Sequence, residues 1–271
     1  ELEEKFRTGH EVYMSNHPGA NFIGSPYVSL EDAVYIIDDD RLLSLDPATG
    51  DILTEFRLPQ IQDIEVNEFG HILVSGDYVI TTIDPQMFDD GQPGKEDNWN
   101  ATSSSMLLVI NRHSGEVLWR KRADHGFRHN AIVAGEDCLF LVDGLSEGVV
   151  EILQRRGIED ASNSKLLALD LKTGKELWTR NDDVFGTWLG YYENKNILLQ
   201  GGRVGQRGAP EDEPGDRLTA HSGSTGEIIW RSNRRYTGPV GLHPDMIIPG
   251  GPGEKAYNPN TGEALLRDHL I

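Results

Sequence analysis

The stretch LLALDLKTGKELW, Leu166 to Trp178, sets the architecture, because a near copy, LLVINRHSGEVLW, already runs from Leu107 to Trp119. Aligned on its Thr/Ser-Gly pair, the phrase occurs five times, and its glycines are Gly50, Gly115, Gly174, Gly226 and Gly262. Successive copies are separated by 65, 59, 52 and 36 residues. Only the last separation approaches the length of a compact four-stranded unit, so the longer ones contain insertions.

Each copy predicts a β-hairpin. A short apolar run leads into a polar turn that ends in Gly, and a second apolar run follows. The Gly supplies the positive φ of a tight turn, and a side chain three residues before the Thr or Ser can accept hydrogen bonds from the turn amides. These turn side chains are Asp46, Asn111, Asp170, Ser222 and Asn258.

A second hairpin is predicted upstream of the repeated one, for example in residues 26–38, 71–83, 130–143 and 238–251. Two hairpins make a four-stranded antiparallel blade, and blades arranged radially form a β-propeller. The sequence therefore predicts an all-β chain with one propeller over residues 1–271. Its blades are expected at about 24–58, 64–122, 128–181, 186–233 and 236–271. One short inserted helix is expected near 146–157, with Ser146 as N-cap and Gly157 as C-cap.

Composition excludes several classes of function. The formal net charge of −19 opposes binding to nucleic acid and to anionic lipid, because both are bound through Lys and Arg. No apolar run is long enough to span a bilayer. Cys138 is the single cysteine, which excludes an internal disulfide and a multi-cysteine metal site. The opening ELEEKFRTGH has no signal-peptide pattern, so a cytoplasmic protein or an upstream export signal is expected.

The repeated phrase resembles the tryptophan-docking repeat of the PQQ-binding-like (quinoprotein alcohol dehydrogenase-like) propellers, whose pattern is roughly A-x-D-x-x-T-G-x-x-x-W. The third copy fits every position, from Ala168 to Trp178. The second and fourth copies keep Trp119 and Trp230, whereas the first and fifth place Thr54 and Leu266 there. The resemblance implies that these tryptophans and the turn glycines are architectural and lock adjacent blades together.

Propellers of this family usually have seven or eight blades, and five are visible here. An open arc would expose sheet edges. We therefore expect a larger ring whose remaining blades, or a fused domain, lie outside this chain. A closed ring of five or six blades with strand exchange between the termini is the alternative.

The resemblance also implies a site at the propeller axis, where the segments between the docking Trp and the next blade meet. These segments carry a cation, two imidazoles, an amide, a hydroxyl and an indole, which suit an anion or a quinone. The candidate residues are His71, Arg128, His129, Asn130, Thr187 and Trp188. Alternatively, Arg128 and His129 satisfy strand carbonyls and Trp188 fills the channel.

Two polar insertions, residues 84–100 and 203–216, are expected to be long loops, where binding commonly resides. The first contains five acidic side chains. They offer oxygen ligands for Ca²⁺ or, alternatively, form an ordinary acidic surface loop. The five residues are Asp84, Asp89, Asp90, Glu96 and Asp97.

These observations predict a non-catalytic binding or scaffold propeller for a protein partner or a small ligand, with no cofactor. The alternative is a PQQ-dependent oxidoreductase acting on an alcohol or a sugar with PQQ and Ca²⁺. The lone Cys138 excludes the vicinal cysteine pair common in such enzymes, and the chain has no Cys-x-x-Cys-His haem motif. No catalytic residue carries over from the family. A periplasmic or other extracytoplasmic location is implied only by the resemblance.

Overall fold

In a computed structural model of the chain, the structure describes residues 27–38, 40–58, 61, 68–85, 103–145, 150–151, 154–155, 157, 164–186, 188–202, 217–233, 240–248 and 255–265. They fall into two compact units that divide between Asn130 and Ala131. The regular structure of these residues is almost entirely antiparallel β, in two four-stranded sheets, one seven-stranded sheet and one two-stranded sheet. This confirms the predicted fold class; the predicted blade boundaries stay a prediction.

The first unit contains two four-stranded meanders. The first has strands β1 (Tyr27–Ser29), β2 (Val34–Asp38), β3 (Arg41–Leu45) and β4 (Ile52–Arg57), paired in that order. The second has β5 (Phe69–Ser75), β6 (Tyr78–Pro85), β7 (Ser103–Asn111) and β8 (Val117–Ala134). Apolar side chains of both meanders, among them Tyr35, Leu42, Ile72 and Leu108, form one core cluster. Strands β3, β6 and β7 are buried over consecutive residues rather than at alternate ones, so both faces of these sheets are covered there.

The second unit begins within β8, whose last residues from Ala131 precede β9 (Cys138–Asp143), β10 (Lys165–Asp170) and β11 (Glu176–Arg180). A four-stranded meander follows, with β12 (Trp188–Tyr192), β13 (Ile197–Gly201), β14 (Leu218–Ser222) and β15 (Ile228–Ser232). The pair β16 (Gly241–His243) and β17 (Met246–Ile248) comes last, and Tyr257 bridges Ile247 to Ala264.

The hairpin turns have the predicted chemistry. Oδ1 of Asp46 accepts hydrogen bonds from the amides of Ala48 and Thr49 at 2.8 and 2.9 Å, and Oδ1 of Asn111 accepts from His113 and Ser114 at 2.9 Å. These amides hold the pKa of the Asp46 carboxyl below its usual value. All five turn glycines have φ between 68° and 77°. A side chain is disfavoured at such an angle, which explains the repeated Gly.

The inserted helix is described in part. Residues 150–151 and 154–155 have helical backbone, and Gly157, at φ 84°, donates its amide to the carbonyl of Gln154 at 2.9 Å. The expected N-cap Ser146 lies outside the described residues. In the part of the chain that is described, no helix combines the length and apolarity needed to cross a membrane.

Indole rings join consecutive hairpins within the second unit. Nε1 of Trp178 donates to the carbonyl of Gly223 at 2.8 Å, and a Cβ atom at Gly226 would lie 2.7 Å from Cε3 of the same ring. Trp230 repeats the arrangement, because its Nε1 donates to the carbonyl of Pro259 at 2.8 Å and its ring lies against Gly262. Each ring therefore contacts the turn glycine of the following hairpin.

In the first unit, a phenylalanine lies against the following turn glycine. Phe56 is buried, and its ring is 3.7 Å from where a Cβ atom of Gly115 would be. Thr54, at the position expected for Trp, is two residues earlier on the same face of β4. Phe56 is not predicted by the repeat pattern, which places its aromatic residue at the position of Thr54. The docking role of Trp119 stays a prediction.

We expect Gly226→Ala to destabilise the protein more than Gly50→Ala. Both residues have positive φ, which costs a side chain about 1–2 kcal/mol. Only Gly226 also faces an indole, whereas a Cβ atom at Gly50 has nothing within 4 Å. Overpacking adds about 1–3 kcal/mol. Urea unfolding of both variants measures the difference, and equal losses would contradict the role of the indole contact.

Candidate functional site

Two of the candidate axial residues meet in the first unit. His71, from β5, and His129, from β8, stack with ring centroids 5.8 Å apart and planes inclined by 12°. Both are buried, and so is Arg128, the residue before His129. Asn130 follows at the end of the unit and is partly buried. The antiparallel meander brings these strands together, although their residues are far apart in sequence.

The imidazole pair is surrounded by hydroxyl groups. Oγ of Ser104 lies 2.7 Å from Nε2 of His129 and donates to Oγ1 of Thr82 at 3.0 Å. Oγ1 of Thr81 donates to the carbonyl of His71 at 2.7 Å. All three hydroxyl residues are buried. These hydrogen bonds satisfy polar groups that would otherwise be costly inside the sheet.

Gly70 makes this packing possible. A Cβ atom there would lie 2.5 Å from Oγ of Ser104, 2.8 Å from Oγ1 of Thr82 and 2.9 Å from Nε2 of His129. The space beside the imidazole is therefore filled by the hydroxyl groups themselves. We call Gly70, His71, Thr82, Ser104 and His129 the polar cluster.

Burial determines the charge of the polar cluster. Desolvation, reinforced by the charge of His129, lowers the pKa of His71 to about 3, so this ring is neutral at pH 7. A neutral imidazole offers one donor and one acceptor but no cationic charge for an anion. The guanidinium of Arg128 is the cationic candidate in this region.

The Ser104 and His129 contact has the atoms of a nucleophile and its base but not the accessibility. Both residues have no exposed surface, and the Ser104 hydroxyl is also bonded to Thr82. A catalytic serine must reach its substrate. The arrangement accordingly acts as a packed hydrogen-bond network within the sheet.

The other candidates are placed elsewhere. Trp188 belongs to the second unit, where it packs against a core cluster that includes Tyr192 and Leu199. Thr187 lies outside the described residues. The structure thus brings His71 and His129 together, with Arg128 next to His129 in the strand, and a ligand-binding role for the six residues as a set stays a prediction.

The acidic insertion is described only at its start. Asp84, at φ 58°, accepts a hydrogen bond from Oγ of Ser105. Asp89, Asp90, Glu96 and Asp97, and both long loops beyond residues 85 and 202, lie outside the described residues. Among the residues that are described, no three His, Cys, Asp or Glu side chains are grouped as metal ligands.

A second buried histidine lies in the second unit. Nε2 of His221 faces Oε1 of Gln200 at 2.9 Å, and its Nδ1 faces the carbonyl of Gly226 at 3.2 Å. The Gln200 amide nitrogen donates to the carbonyl of Phe185 at 2.8 Å. Burial lowers the pKa of His221 to about 4. This network connects β13, β14 and the turn of the repeated hairpin.

The single cysteine is not an activated nucleophile. Cys138 begins β9 and is partly buried beside the hydroxyl of Tyr191. Burial raises the pKa of its thiol, and a raised pKa lowers the thiolate fraction at neutral pH.

The sequence interpretation missed Gly70, Thr82, Ser104, Gln200 and His221. The sequence feature that could have indicated them is a polar residue within an otherwise apolar strand. Examples are the runs TT at 81–82 and SSS at 103–105. A buried polar residue needs a partner, so such runs predict a hydrogen-bonded network. They do not by themselves identify which strands supply the partners.

We expect Gly70→Ala to reduce the free energy of unfolding by about 2 kcal/mol, because the methyl group overpacks the polar cluster. The double variant Gly70→Ala/Ser104→Ala should lose less than the sum of the two single variants, since the atom nearest the new methyl is then absent. Urea unfolding of all four proteins measures this coupling. Strict additivity would show that the close approach is relaxed elsewhere.

We expect the fold to lose stability on acidification already at pH values above those at which carboxylates titrate. His71 stays neutral in the folded state, whereas in the unfolded chain it binds a proton below about pH 6.5. Stability is therefore lost as pH falls from about 6.5 towards the folded pKa, by about 1.4 kcal/mol per pH unit for a fully protonated histidine. His71→Asn should flatten the dependence of the free energy of unfolding between pH 6 and 4.5.

The matched control is His113→Asn, which replaces an exposed ring. This variant leaves the buried ring of His71 in place, so a slope that is flattened only in His71→Asn identifies the buried ring as the cause. Equal slopes for wild type and His71→Asn would contradict the burial effect.

The family model described as outer membrane protein assembly factor BamB matches residues 86–230. Similar solved structures include BamB from Moraxella catarrhalis, at a TM-score of 0.51 and 17% identity, covering 92% of this chain and 62% of that one. The quinohemoprotein alcohol dehydrogenase ADHIIG from Pseudomonas putida HK5 has a TM-score of 0.53 and 15% identity, over 89% of this chain and 41% of that one. A europium-containing methanol dehydrogenase has a TM-score of 0.51 and 12% identity, over 91% of this chain and 51% of that one. No curated protein sequence matches.

At these identities the structural likeness shows the fold alone, and the chain spans 41 to 62% of the length of these three structures. The match to the family model extends over more than half of the 271 residues. The chain therefore belongs to the PQQ-like propeller family of the outer membrane protein assembly factor BamB.

Proposed function

We propose that this propeller is a non-catalytic binding module whose ligand is a protein partner. The observation that carries the proposal is the closed packing of the polar cluster. Ser104 and His129 have no exposed surface. Their atoms fill the space that a side chain at Gly70 would take. A small-molecule site needs a cavity with accessible polar groups. The polar cluster is instead fully used in holding β5 to β8 together.

The exposed surface of the described residues supports the same proposal. Large aliphatic side chains remain exposed on the outer strands, among them Ile52, Leu53, Leu177 and Ile229. Protein partners recognise exposed apolar side chains set among polar neighbours. The chain thus combines a closed interior with apolar contact points on its outside.

A PQQ-dependent oxidoreductase is not supported by the described residues. Such an enzyme would need carboxylate and amide ligands for Ca²⁺ around the quinone, and commonly a vicinal cysteine pair. In the ranges that the structure describes, no group of three acidic, His or Cys side chains is placed to hold a metal ion, and Cys138 is alone in the sequence. These residues do not fit the group, so no step of catalysis is assigned to it.

The class of partner follows from the family. Its model carries the description of an outer membrane protein assembly factor, which supports a partner that takes part in protein assembly outside the cytoplasm. The net charge of −19 supports a partner that is basic where it meets this chain.

A thermal-shift titration with PQQ, with and without Ca²⁺, tests the proposal. A ligand that binds only the folded state raises the melting temperature with concentration. We expect no saturable shift with PQQ, with Ca²⁺, or with both, and Mg²⁺ serves as the matched ion. A saturable rise that needs PQQ and Ca²⁺ together would overturn the non-catalytic proposal and support the dehydrogenase alternative.

A further inference from the structure

The buried histidine of the second unit has a hydrogen-bond acceptor on each side of its ring. Nε2 of His221 lies 2.9 Å from Oε1 of Gln200, and Nδ1 lies 3.2 Å from the carbonyl oxygen of Gly226. A neutral imidazole carries a single N–H donor, so only one of these two contacts is a hydrogen bond when the ring is neutral. The other hydrogen bonds of the two acceptors decide which one it is.

Two backbone carbonyls fix the orientation of the Gln200 amide. Its Nε2 donates to the carbonyl of Phe185 at 2.8 Å and to that of Asp183 at 3.3 Å. The flipped amide would instead place Oε1 against two acceptors. Oε1 of Gln200 therefore faces His221. Gln200 is fully buried, and among the described residues His221 is the one donor available to this oxygen. A buried amide oxygen needs a donor, which assigns the imidazole proton to Nε2.

The Gly226 carbonyl, by contrast, already has a donor. Nη1 of Arg180 donates to it at 3.1 Å. With the imidazole proton on Nε2, the lone pair of Nδ1 faces this carbonyl. The carbonyl belongs to the turn whose glycine lies against the ring of Trp178. The basic nitrogen of the buried histidine is thus held against the turn that joins two consecutive hairpins.

We infer that His221 is held as the Nε2–H tautomer at neutral pH and operates a proton-dependent exchange of donors at the Gly226 carbonyl. A proton taken up at Nδ1 turns the ring into a donor to this oxygen, in the place that Arg180 holds when the ring is neutral. Arg180 then keeps its second partner, the carboxylate of Asp182, to which its Nη2 donates. This pH-sensitive device goes beyond the proposed function and does not depend on it.

Charge repulsion makes the two donors alternatives. A carbonyl oxygen has two lone pairs, but an imidazolium and a guanidinium that share it repel each other. Arg180 has somewhere to go, because the side chain of Asp182 is 74% exposed. Nε of Arg180 is buried and has no partner among the described residues. Movement of the guanidinium outward, towards Asp182, brings this nitrogen into contact with water.

Charged groups on three elements set the pH at which the exchange occurs. Burial, partly offset by the hydrogen bond with Gly226, lowers the pKa of His221 to about 4. The charges of Arg180 on β11 and Arg231 on β15 lower this pKa further, whereas the carboxylate of Asp183, between β11 and β12, raises it. The neighbouring strand β13 carries no ionisable side chain. The neutral tautomer therefore predominates at pH 7, and acid brings about the exchange.

Nuclear magnetic resonance of the full chain, with nitrogen-15 in its histidine rings, tests the inference. At pH 7, His221 should show a protonated Nε2 and an unprotonated Nδ1. During acid titration, the Nδ1 resonance, the carbonyl carbon of Gly226 and the guanidinium of Arg180 should shift with one common midpoint. The variant His221→Gln identifies the histidine resonances by their loss.

The two halves of the inference have separate contrary outcomes. A proton on Nδ1 at pH 7 would overturn the tautomer, and this measurement needs no acid. A Gly226 carbonyl or an Arg180 guanidinium that does not follow His221 would overturn the exchange. Unfolding of the chain before Nδ1 takes up a proton would overturn the exchange as well.

Two arginine variants separate hydrogen bonding from charge. Arg180→Met removes a charge and the donor to Gly226, so part of the imidazole proton should move to Nδ1 at pH 7, and the titration midpoint should rise by about one pH unit. The matched control is Arg231→Met, which removes a second charge that acts on the ring but whose Nε donates to Asp183. Its midpoint should also rise while the tautomer stays Nε2–H. One tautomer in both variants would overturn the inference, and melting temperatures establish that each variant is folded.

Discussion

The contact of an aromatic ring with a glycine organises this protein. A tight hairpin needs positive φ at its last turn residue, which selects glycine, and the absence of a Cβ atom leaves a flat site for a ring from the preceding hairpin. Trp178 on Gly226 and Trp230 on Gly262 are the clearest cases, and each indole also donates to a carbonyl of the same turn. One residue choice thereby serves both the local turn and the long-range packing. Phe56, Trp178 and Trp230 each join one hairpin to the turn glycine of the next in this way.

The buried polar groups are arranged around the same framework. The carbonyl of Gly226 accepts a hydrogen bond from Arg180 at 3.1 Å and lies 3.2 Å from His221, while Gln200 fixes the other side of that imidazole. In the first unit, the Ser104 hydroxyl lies within hydrogen-bond distance of the His129 ring and donates to Thr82. The residues Thr82, Ser104, His129, Gln200 and His221 of these networks are buried, so their hydrogen bonds contribute to the specificity of strand pairing. Burial is also why the pKa values of His71 and His221 fall.

The fold was predictable from the sequence to a large extent, and the candidate site only in part. Five Thr/Ser-Gly pairs with apolar flanks determine five hairpins, because turn chemistry acts over four or five residues. The meeting of His71 with His129 depended on pairing among β5, β6, β7 and β8, which local patterns do not specify. Phe56 escaped notice because a ring two positions along a strand projects from the same face as the expected Trp. Gly70 was not predicted because its role depends on tertiary packing. Atoms of Ser104 and His129 fill the space that a side chain at this position would take.

The environment of Cys138 has a practical consequence for studying this protein. Its thiol is partly buried beside Tyr191 and has a raised pKa, so we expect it to react slowly with maleimides and related reagents near neutral pH. A cysteine introduced on an exposed strand should react faster, and these 271 residues contain no second thiol to compete with it. Fluorophores, spin labels and crosslinkers can therefore be attached at chosen points without first removing the native cysteine and disturbing the contact between β9 and β12.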